Sequence, residues 1–305
     1  MLVTIMIPTY NQKDYIIESI QSALCQSYNN IEVIVNDDYS TDATFKIAST
    51  IKDDRLKVFK NEQNLGRVKN YRKLLYDLAH GEFVINLDGD DYFTDNDYIK
   101  KAVRLVQKNS LDLIFSNQIL QYPTFKKETI MNLPEVIDGN WLFLNYGKNG
   151  IGIPHMTALY NRKKALKLNF YSKDIISSDW ESLLRFIINS RIGFINDASS
   201  VWRQVESSQS KSQDIQKVLK NFELTDNVLD FAKNYFNEHE IRVWDDRIKG
   251  NMIKDINIYN VSCNFFKILN FSYKSLSKLE FFKLLINYRF IGKVLLGKCK
   301  YSCVQ

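Results

Sequence analysis

Phe83-Val84-Ile85-Asn86-Leu87-Asp88-Gly89-Asp90-Asp91-Tyr92 reads as a short apolar strand that runs straight into three carboxylates. Acids crowded at the end of a buried strand repel one another and are costly to desolvate unless a cation sits among them. A divalent metal carrying a diphosphate meets that need, because hard cations share carboxylate and phosphate oxygens. A solvated, turn-forming acidic loop is the alternative, and the stretch alone leaves both readings open.

The sequence around it alternates strand and helix signals. Val3 to Ile7 is a β-branched run ended by Pro8, and Asp14 to Cys25 has helical apolar spacing through Ile16, Ile17, Ile20 and Leu24. Ile31 to Val35 is a second strand, followed by the polar cluster Asn36 to Thr41. Thr44 to Ile51 reads as a helix, Leu56 to Phe59 as a strand and Val68 to Ala79 as a helix. Strands alternating with helices imply right-handed crossovers and a mainly parallel sheet. Ligands bind such sheets beyond the carboxyl ends of the strands. Pro8-Thr9-Tyr10, Asn36-Asp37-Asp38 and Asp88-Gly89-Asp90-Asp91 all follow strands, so three polar clusters are expected on one sheet edge.

Further on, residues 97 to 108 read as a helix, 111 to 116 as a strand and 178 to 189 as a helix with Ser178 as its N-cap. Asp138-Gly139-Asn140 and Gly147-Lys148-Asn149-Gly150 read as turns. The polar stretch Glu206 to Gln213 reads as a boundary or loop, and the pattern after Ile215 is helical.

The chain has 305 residues, room for one large domain or two smaller ones. Its 45% hydrophobic and 25% charged content is that of an ordinary globular protein, and 4 prolines and 11 glycines argue against long linkers. A net charge of +6 suits phosphate-bearing ligands or an anionic membrane surface. It lacks the dense Lys/Arg clustering of a nucleic-acid binder. The start, Met1 to Pro8, has no basic n-region or small-residue cleavage site, so no signal peptide is expected. No apolar stretch is long enough to span a bilayer. Cys25, Cys263, Cys299 and Cys303 show no zinc spacing or disulfide framework and read as free, buried thiols in a reducing cytoplasm.

Four motifs in order carry a resemblance: Val3 to Asn11; Gln26 to Asp42, with Asn36-Asp37-Asp38-Tyr39-Ser40-Thr41-Asp42 at its end; Asn64-Leu65-Gly66; and Asp88-Gly89-Asp90-Asp91. Residues 1 to about 205 resemble a family 2 glycosyltransferase with the GT-A fold, an α/β architecture with a helical extension following. The resemblance implies a catalytic domain over 1–205, with a nucleotide-sugar half (1–115) and an acceptor half (116–205), and a helical region over 206–305. It implies a UDP-sugar donor, Mg²⁺ or Mn²⁺, and an inverting transfer to a hydroxyl of a glycan or lipid-linked glycan, as in bacterial surface-polysaccharide assembly.

By that resemblance Pro8, Thr9 and Tyr10 embrace the nucleotide base. Asp38 accepts hydrogen bonds from the base or ribose, a task that suits a pure acceptor, while Asp37 is left to cap the following turn. Gly66 allows close backbone approach, and Arg67 or Lys69 at the next helix start reaches the diphosphate, unless either is a solvated basic face. Asp88 with Gly89 faces the ribose or a metal-bound water, Asp90 ligates the metal, and Asp91 orients the loop or contacts the sugar. The metal neutralises charge on the leaving diphosphate. An inverting transfer needs a base: Asp179 is the candidate, Glu181 the runner-up and helix capping the alternative. Trp180 either stacks on a sugar or belongs to the core. Relatives often carry a His after an aromatic-Arg pair; here Trp202-Arg203 is followed by Gln204-Val205, which leaves Arg203 to pair with the diphosphate. His155 lies in the acceptor-side segment and either contacts acceptor or metal or is structural.

From Lys274 to Lys300 apolar residues mix with Lys278, Lys283, Arg289, Lys293, Lys298 and Lys300, against the single acid Glu280. Such a segment either lies on the cytoplasmic face of an anionic membrane or docks on the catalytic domain. A nucleotidyltransferase would need a Gly-rich phosphate loop after the first strand, which Pro8-Thr9-Tyr10-Asn11 is not. A non-catalytic sugar-nucleotide or glycan-binding module is opposed by Asp38, Asp90 and Asp179.

Overall fold

The computed structural model describes residues 1–204 and 214–255. Strands β1 (Val3–Thr9), β2 (Ile31–Asp37), β3 (Leu56–Lys60) and β4 (Phe83–Asn86) alternate with helices α1 (Ile16–Leu24), α2 (Thr44–Ala48) and α3 (Arg67–Lys73), which continues as the π-helical turn Leu74–Leu78. Strand β5 (Tyr92–Phe93) leads to α4 (Tyr98–Asn109), then β6 (Leu113–Gln121), β7 (Lys126–Thr129), β8 (Val136–Asp138) and α5 (Gly139–Asn145). The turn His155–Thr157 precedes β9 (Leu159–Asn161), α6 (Arg162–Lys167), α7 (Ser178–Ile187) and β10 (Arg191–Arg203).

The ten strands form one sheet in the order β3-β2-β1-β4-β9-β6-β10-β5, with β7 against β6 and β8 against β10. β1, β2 and β4 are buried along their whole length. That is why they read as near-continuous apolar runs, as strands covered on both faces do, with buried Thr4 donating to buried Glu32 where β1 meets β2. On one face, α1 contributes Ile16, Ile20 and Ala23 and α4 contributes Tyr98, Ile99, Ala102, Val103 and Val106 to a single core. Both sets follow the helical i, i+3, i+4 spacing.

The expected parallel sheet holds for β3-β2-β1-β4 and for β6 with β10. The second half departs from it: β9 runs antiparallel between β4 and β6, and β5, β7 and β8 are antiparallel to their neighbours. Residues 117 to 129 form a β-hairpin. Asp138-Gly139-Asn140 starts a helix rather than a turn, with the Asp138 carboxylate accepting from Trp141 N at 2.8 Å. Ser178 lies inside the first turn of α7, and its buried hydroxyl has no partner, so it does not cap the helix. The 13-residue β10 escaped a periodicity reading because register shifts near Asn196–Ser200 break its alternation. Cys25 is free but exposed rather than buried.

A second compact unit holds Gly147–Asn149, Ile175–Ser177 and the helices α8 (Ile215–Lys220), α9 (Glu223–Ala232) and α10 (Glu238–Asp255). Among the described residues no helix is long and apolar enough to cross a membrane. The expectations for Val205, for Glu206 to Gln213, for the basic segment from Lys274 to Lys300 and for Cys263, Cys299 and Cys303 lie outside the described residues.

Candidate active site

The three polar clusters meet at the carboxyl ends of β1, β2 and β4. Thr9 pairs in register with Asp37. Asp38 N donates to Thr9 O at 2.9 Å, and Gly89 N donates to Pro8 O at 3.1 Å. A side chain at Gly89 would run into Thr9 and Gln12, so the acidic loop can lie against β1 only because this residue is glycine. Thr9 is buried and donates to Gln12 Oε1 at 2.7 Å. Tyr10 is exposed and so open to a flat partner.

Asp38 is buried, and its carboxylate accepts from Asn61 Nδ2, Leu65 N and Gly66 N at 2.8, 2.8 and 2.9 Å. Two of these bonds fix the Asn64–Gly66 loop and the third ties Asp38 to Asn61, so three of its roughly four acceptor positions are taken within the protein. Gly66 has φ +86° and ψ 153°, a region essentially restricted to glycine. Asp37 accepts from Ser40 N at 2.8 Å and thus caps its own turn. Behind this loop Asn36, Asn61 and Asn70 bond to one another, and Lys73 donates to Asn61 Oδ1 at 2.8 Å.

Arg67 and Tyr71 stand one turn apart on the face of α3 that looks into the site. Tyr71 Oη lies 2.9 Å from each oxygen of Asp88, and Asn86 Nδ2 donates to Asp88 Oδ1 at 3.1 Å. The Arg67 guanidinium packs on the Tyr71 ring at 5.3 Å. Burial works against its charge, but Tyr71, Asp179 and Asp88 outweigh burial and hold Arg67 above the ordinary arginine value. Lys69 is on the opposite, exposed face of α3, so the structure does not bring it to the carboxylates. Asp179 enters from α7, with its Oδ2 3.7 Å from His155 Nδ1. His155 Nε2 lies 3.0 Å from Tyr171 Oη.

Burial is the main force on the acidic loop. It pushes Asp88 above the usual carboxylate range against His155, Arg67 and the Tyr71 hydroxyl. Asp90 is pushed up to about 6 by burial and then by the Asp88 charge. Asp91 is fully enclosed and raised by burial and both neighbouring acids; it accepts from Arg203 N at 2.8 Å and so orients the loop. Arg203 is not free for a diphosphate. Its guanidinium bonds to Asp90 O and to Glu18, between the rings of Tyr15 and Tyr92.

Among the described residues no three His, Cys, Asp or Glu side chains form a ready metal cage. The donors present still fit a hard divalent cation. Asp88 and Asp90 are oxygen donors at one loop, strained by burial and mutual repulsion in a way that bound positive charge relieves. Mg²⁺ in particular takes one or two carboxylates and completes its shell with water and phosphate oxygens.

Glu181, the runner-up base, is excluded by its own partners. It is buried and holds Arg185 through Oε1 and Oε2 at 2.6 and 3.0 Å. Trp180 is 40% exposed, its ring edge-on to Tyr146 at 6.1 Å, so it is not a core residue. Two further members of the site, Tyr71 and Tyr171, are absent from the motifs that mark it in the sequence. The i, i+4 relation of Tyr71 to Arg67 was the available signal; Tyr171 offered none, because its contacts come from other elements.

Residues 4–168 match the model of the family described as glycosyl transferase family 2. An Escherichia coli protein named UDP-Glc:alpha-D-GlcNAc-diphosphoundecaprenol beta-1,3-glucosyltransferase WfaP is 32% identical over 182 residues, 57% of this chain and 72% of that protein. The solved structure of Staphylococcus aureus TarS residues 1–349 in complex with UDP-GlcNAc aligns over 100% of this chain and 93% of its own, with TM-score 0.59 and 19% identity. A mannosyltransferase, PcManGT from Pyrobaculum calidifontis in complex with GDP-Man and Mn²⁺, aligns over 98% and 86% with TM-score 0.57 and 14% identity. These two likenesses show the GT-A fold.

Proposed function

Because this chain belongs to glycosyl transferase family 2 and is a glycosyltransferase, we propose that it moves a sugar from a UDP-sugar to a hydroxyl of a lipid-linked or polysaccharide glycan in bacterial surface-glycan synthesis, with inversion at the anomeric carbon. Residues 1–205 serve as the catalytic domain, with donor binding in 1–115 and acceptor binding in 116–205, and the helices α8 to α10 belong to a separate region after it. The reading of donor and acceptor is supported by the name of WfaP and by the UDP-GlcNAc in the TarS complex. One observation carries it: Asp88, on the loop that also holds Asp90, and a separate acid, Asp179, both act on the Arg67 guanidinium and the Tyr71 hydroxyl.

In this reading Asp90, with Asp88, holds Mg²⁺ or Mn²⁺, which when bound supplies Lewis-acid neutralisation of the departing diphosphate. Arg67, held firmly cationic, adds a second positive charge at the start of α3, where the helix dipole also favours phosphate. Tyr10 flanks the base. Asp38 contributes chiefly through the loop it fixes, which places Gly66 and Arg67. Asp179 takes the proton of the attacking hydroxyl as the new glycosidic bond forms on the face opposite the leaving group.

A panel of nucleotide sugars, with and without Mn²⁺, tests the donor by thermal stabilisation and by release of nucleoside diphosphate. Asp90→Ala is expected to abolish metal-dependent donor binding. Asp179→Asn is expected to abolish transfer while donor binding persists. Full transfer by Asp179→Asn would remove the base from this account, and a donor response indifferent to metal would remove the metal.

A further inference from the structure

His155 opens the turn before β9, and Asp179 is the second residue of α7. Both side chains are largely shielded from water. At 3.7 Å, Nδ1 is at ion-pair rather than hydrogen-bond distance from Asp179 Oδ2. Catalytic hydrogen bonds are often this long before substrates bind. The imidazole is braced by the Tyr71 and Tyr171 rings, with centroids at 5.5 and 6.2 Å.

Its other nitrogen ends a chain of phenols. Nε2 lies 3.0 Å from Tyr171 Oη, which lies 3.2 Å from Tyr160 Oη. Burial, and then Tyr160, raise the Tyr171 phenol, and burial raises Tyr160. Both therefore keep their protons, and each has one to donate. If Tyr160 donates to Tyr171 and Tyr171 to Nε2, the imidazole hydrogen sits on Nδ1 and faces Asp179. The opposite tautomer would set a lone pair against the carboxylate. Tyr171 also has φ +56°, unfavourable for a bulky residue. It is held there by its N–H bond to Ser182 Oγ, 2.9 Å, on the helix that carries Asp179. Such strain persists only where surrounding contacts over-determine it.

We infer that His155 is a positioning residue for Asp179: fixed as the Nδ1–H tautomer by Tyr160 and Tyr171, it directs an N–H at Oδ2 and leaves Oδ1 for the acceptor hydroxyl. The inference rests on Asp179 as base. In that step the acceptor oxygen forms its bond to the anomeric carbon, and the bond to the diphosphate oxygen breaks with its electron pair leaving on the diphosphate. The acceptor proton moves to Oδ1, and the His155 proton stays on Nδ1.

Four variants test it: His155→Leu, His155→Asn, Tyr171→Phe and the double variant His155→Asn/Tyr171→Phe. Each is assayed for kcat, donor KM and UDP affinity by calorimetry, the last also reporting a folded site. Loss of one charge-assisted hydrogen bond predicts a kcat about 10- to 100-fold lower for His155→Leu, with donor KM and UDP affinity unchanged. Asparagine places an N–H near the Nδ1 position and has no tautomers. His155→Asn is therefore expected within about 5-fold of the parent, and Tyr171→Phe to lower kcat in the parent but not in the His155→Asn background. Equal kcat for His155→Leu and the parent would overturn the proposal, as would a Tyr171→Phe effect of the same size in both backgrounds. Asp179→Asn separates the two readings: if it is inactive while His155→Leu is normal, only the positioning role fails; if it is active, the base assignment itself fails.

Discussion

The hydroxyl of Tyr71 lies 2.9 Å from both carboxylate oxygens of Asp88. This pair joins α3, which carries Arg67, to the acidic loop after β4, so one contact sets Arg67 and Asp88 on either side of the Tyr71 phenol. Burial raises Asp88 while the Tyr71 hydroxyl opposes the rise. Tyr71→Phe should therefore raise Asp88 further. Because a metal needs the ionised acid, the pH midpoint of metal-dependent UDP binding should move upward, and stability should fall by about 1–3 kcal/mol. Calorimetric titration with UDP and Mn²⁺ between pH 5.5 and 7.5 checks the first, and urea unfolding the second. An unmoved midpoint would mean that Asp88 takes no part in metal binding.

Asp90 sets a trade between stability and function. Its carboxyl is pushed up from 3.8 to about 6, so the folded chain holds a proton that the unfolded chain has released across that window. The contribution to stability is greatest below pH 4, is lost as pH rises through 6, and leaves a standing penalty at neutral pH. Asp90→Asn removes that penalty and should stabilise the metal-free protein at pH 7.5 by about 1–3 kcal/mol. It should also abolish transfer. Melting temperatures of parent and variant at pH 5 and 7.5 show the sign directly: the gain should shrink at pH 5. In the parent, metal-dependent transfer should decline as pH falls below about 6.

Gly66 is a test of the loop that Asp38 holds. Nothing lies within 4 Å of where a β-carbon would stand, so Gly66→Ala is free of steric clash and pays only for its backbone, φ +86°. A cost of about 1–3 kcal/mol is expected. Because the Gly66 N–H is one of three donors to Asp38, UDP affinity should fall as well. Chemical denaturation with a parallel UDP titration measures both; an unchanged melting curve would show that the loop adapts without strain.

Glu181 and Asp179 should part company on mutation. Glu181→Gln leaves Arg185 as an uncompensated buried charge, and breaking such a pair typically costs about 3–5 kcal/mol. The variant should be unstable, yet its folded fraction should turn over normally at low temperature. Asp179→Asn should fold well and not turn over. Active-site titration with UDP normalises the two rates.

The N-terminal half of this site was legible because its residues are local to strand ends. A buried parallel strand must be apolar along its length, and the polar residue after it must lie at the carboxyl edge. That logic placed Pro8, Thr9, Asp38, Asp88 and Asp90 from sequence alone. It also read α1, α3, α4 and α7, whose buried faces repeat at helical spacing. It could not distribute partners. The resemblance points Asp38 and Arg203 toward ligand, and it cannot show that both are also engaged by groups 23 to 185 residues away. Lys69 was equivalent to Arg67 as a base at a helix start, until the helix phase put them on opposite sides.

What the sequence determined by itself is the order of strands and helices over about the first hundred residues, the sheet edge at which their polar clusters meet and the acids that gather there. These follow from periodicity and chain connectivity, which are local. The tertiary structure decided which of those acids remain available, that Glu181 is consumed by Arg185, and that Asp179 shares its surroundings with His155, Tyr71 and Asp88. Those are questions of who neutralises or donates to whom. Burial makes each unmet charge or lone pair costly, and only the packed chain shows which partner meets it.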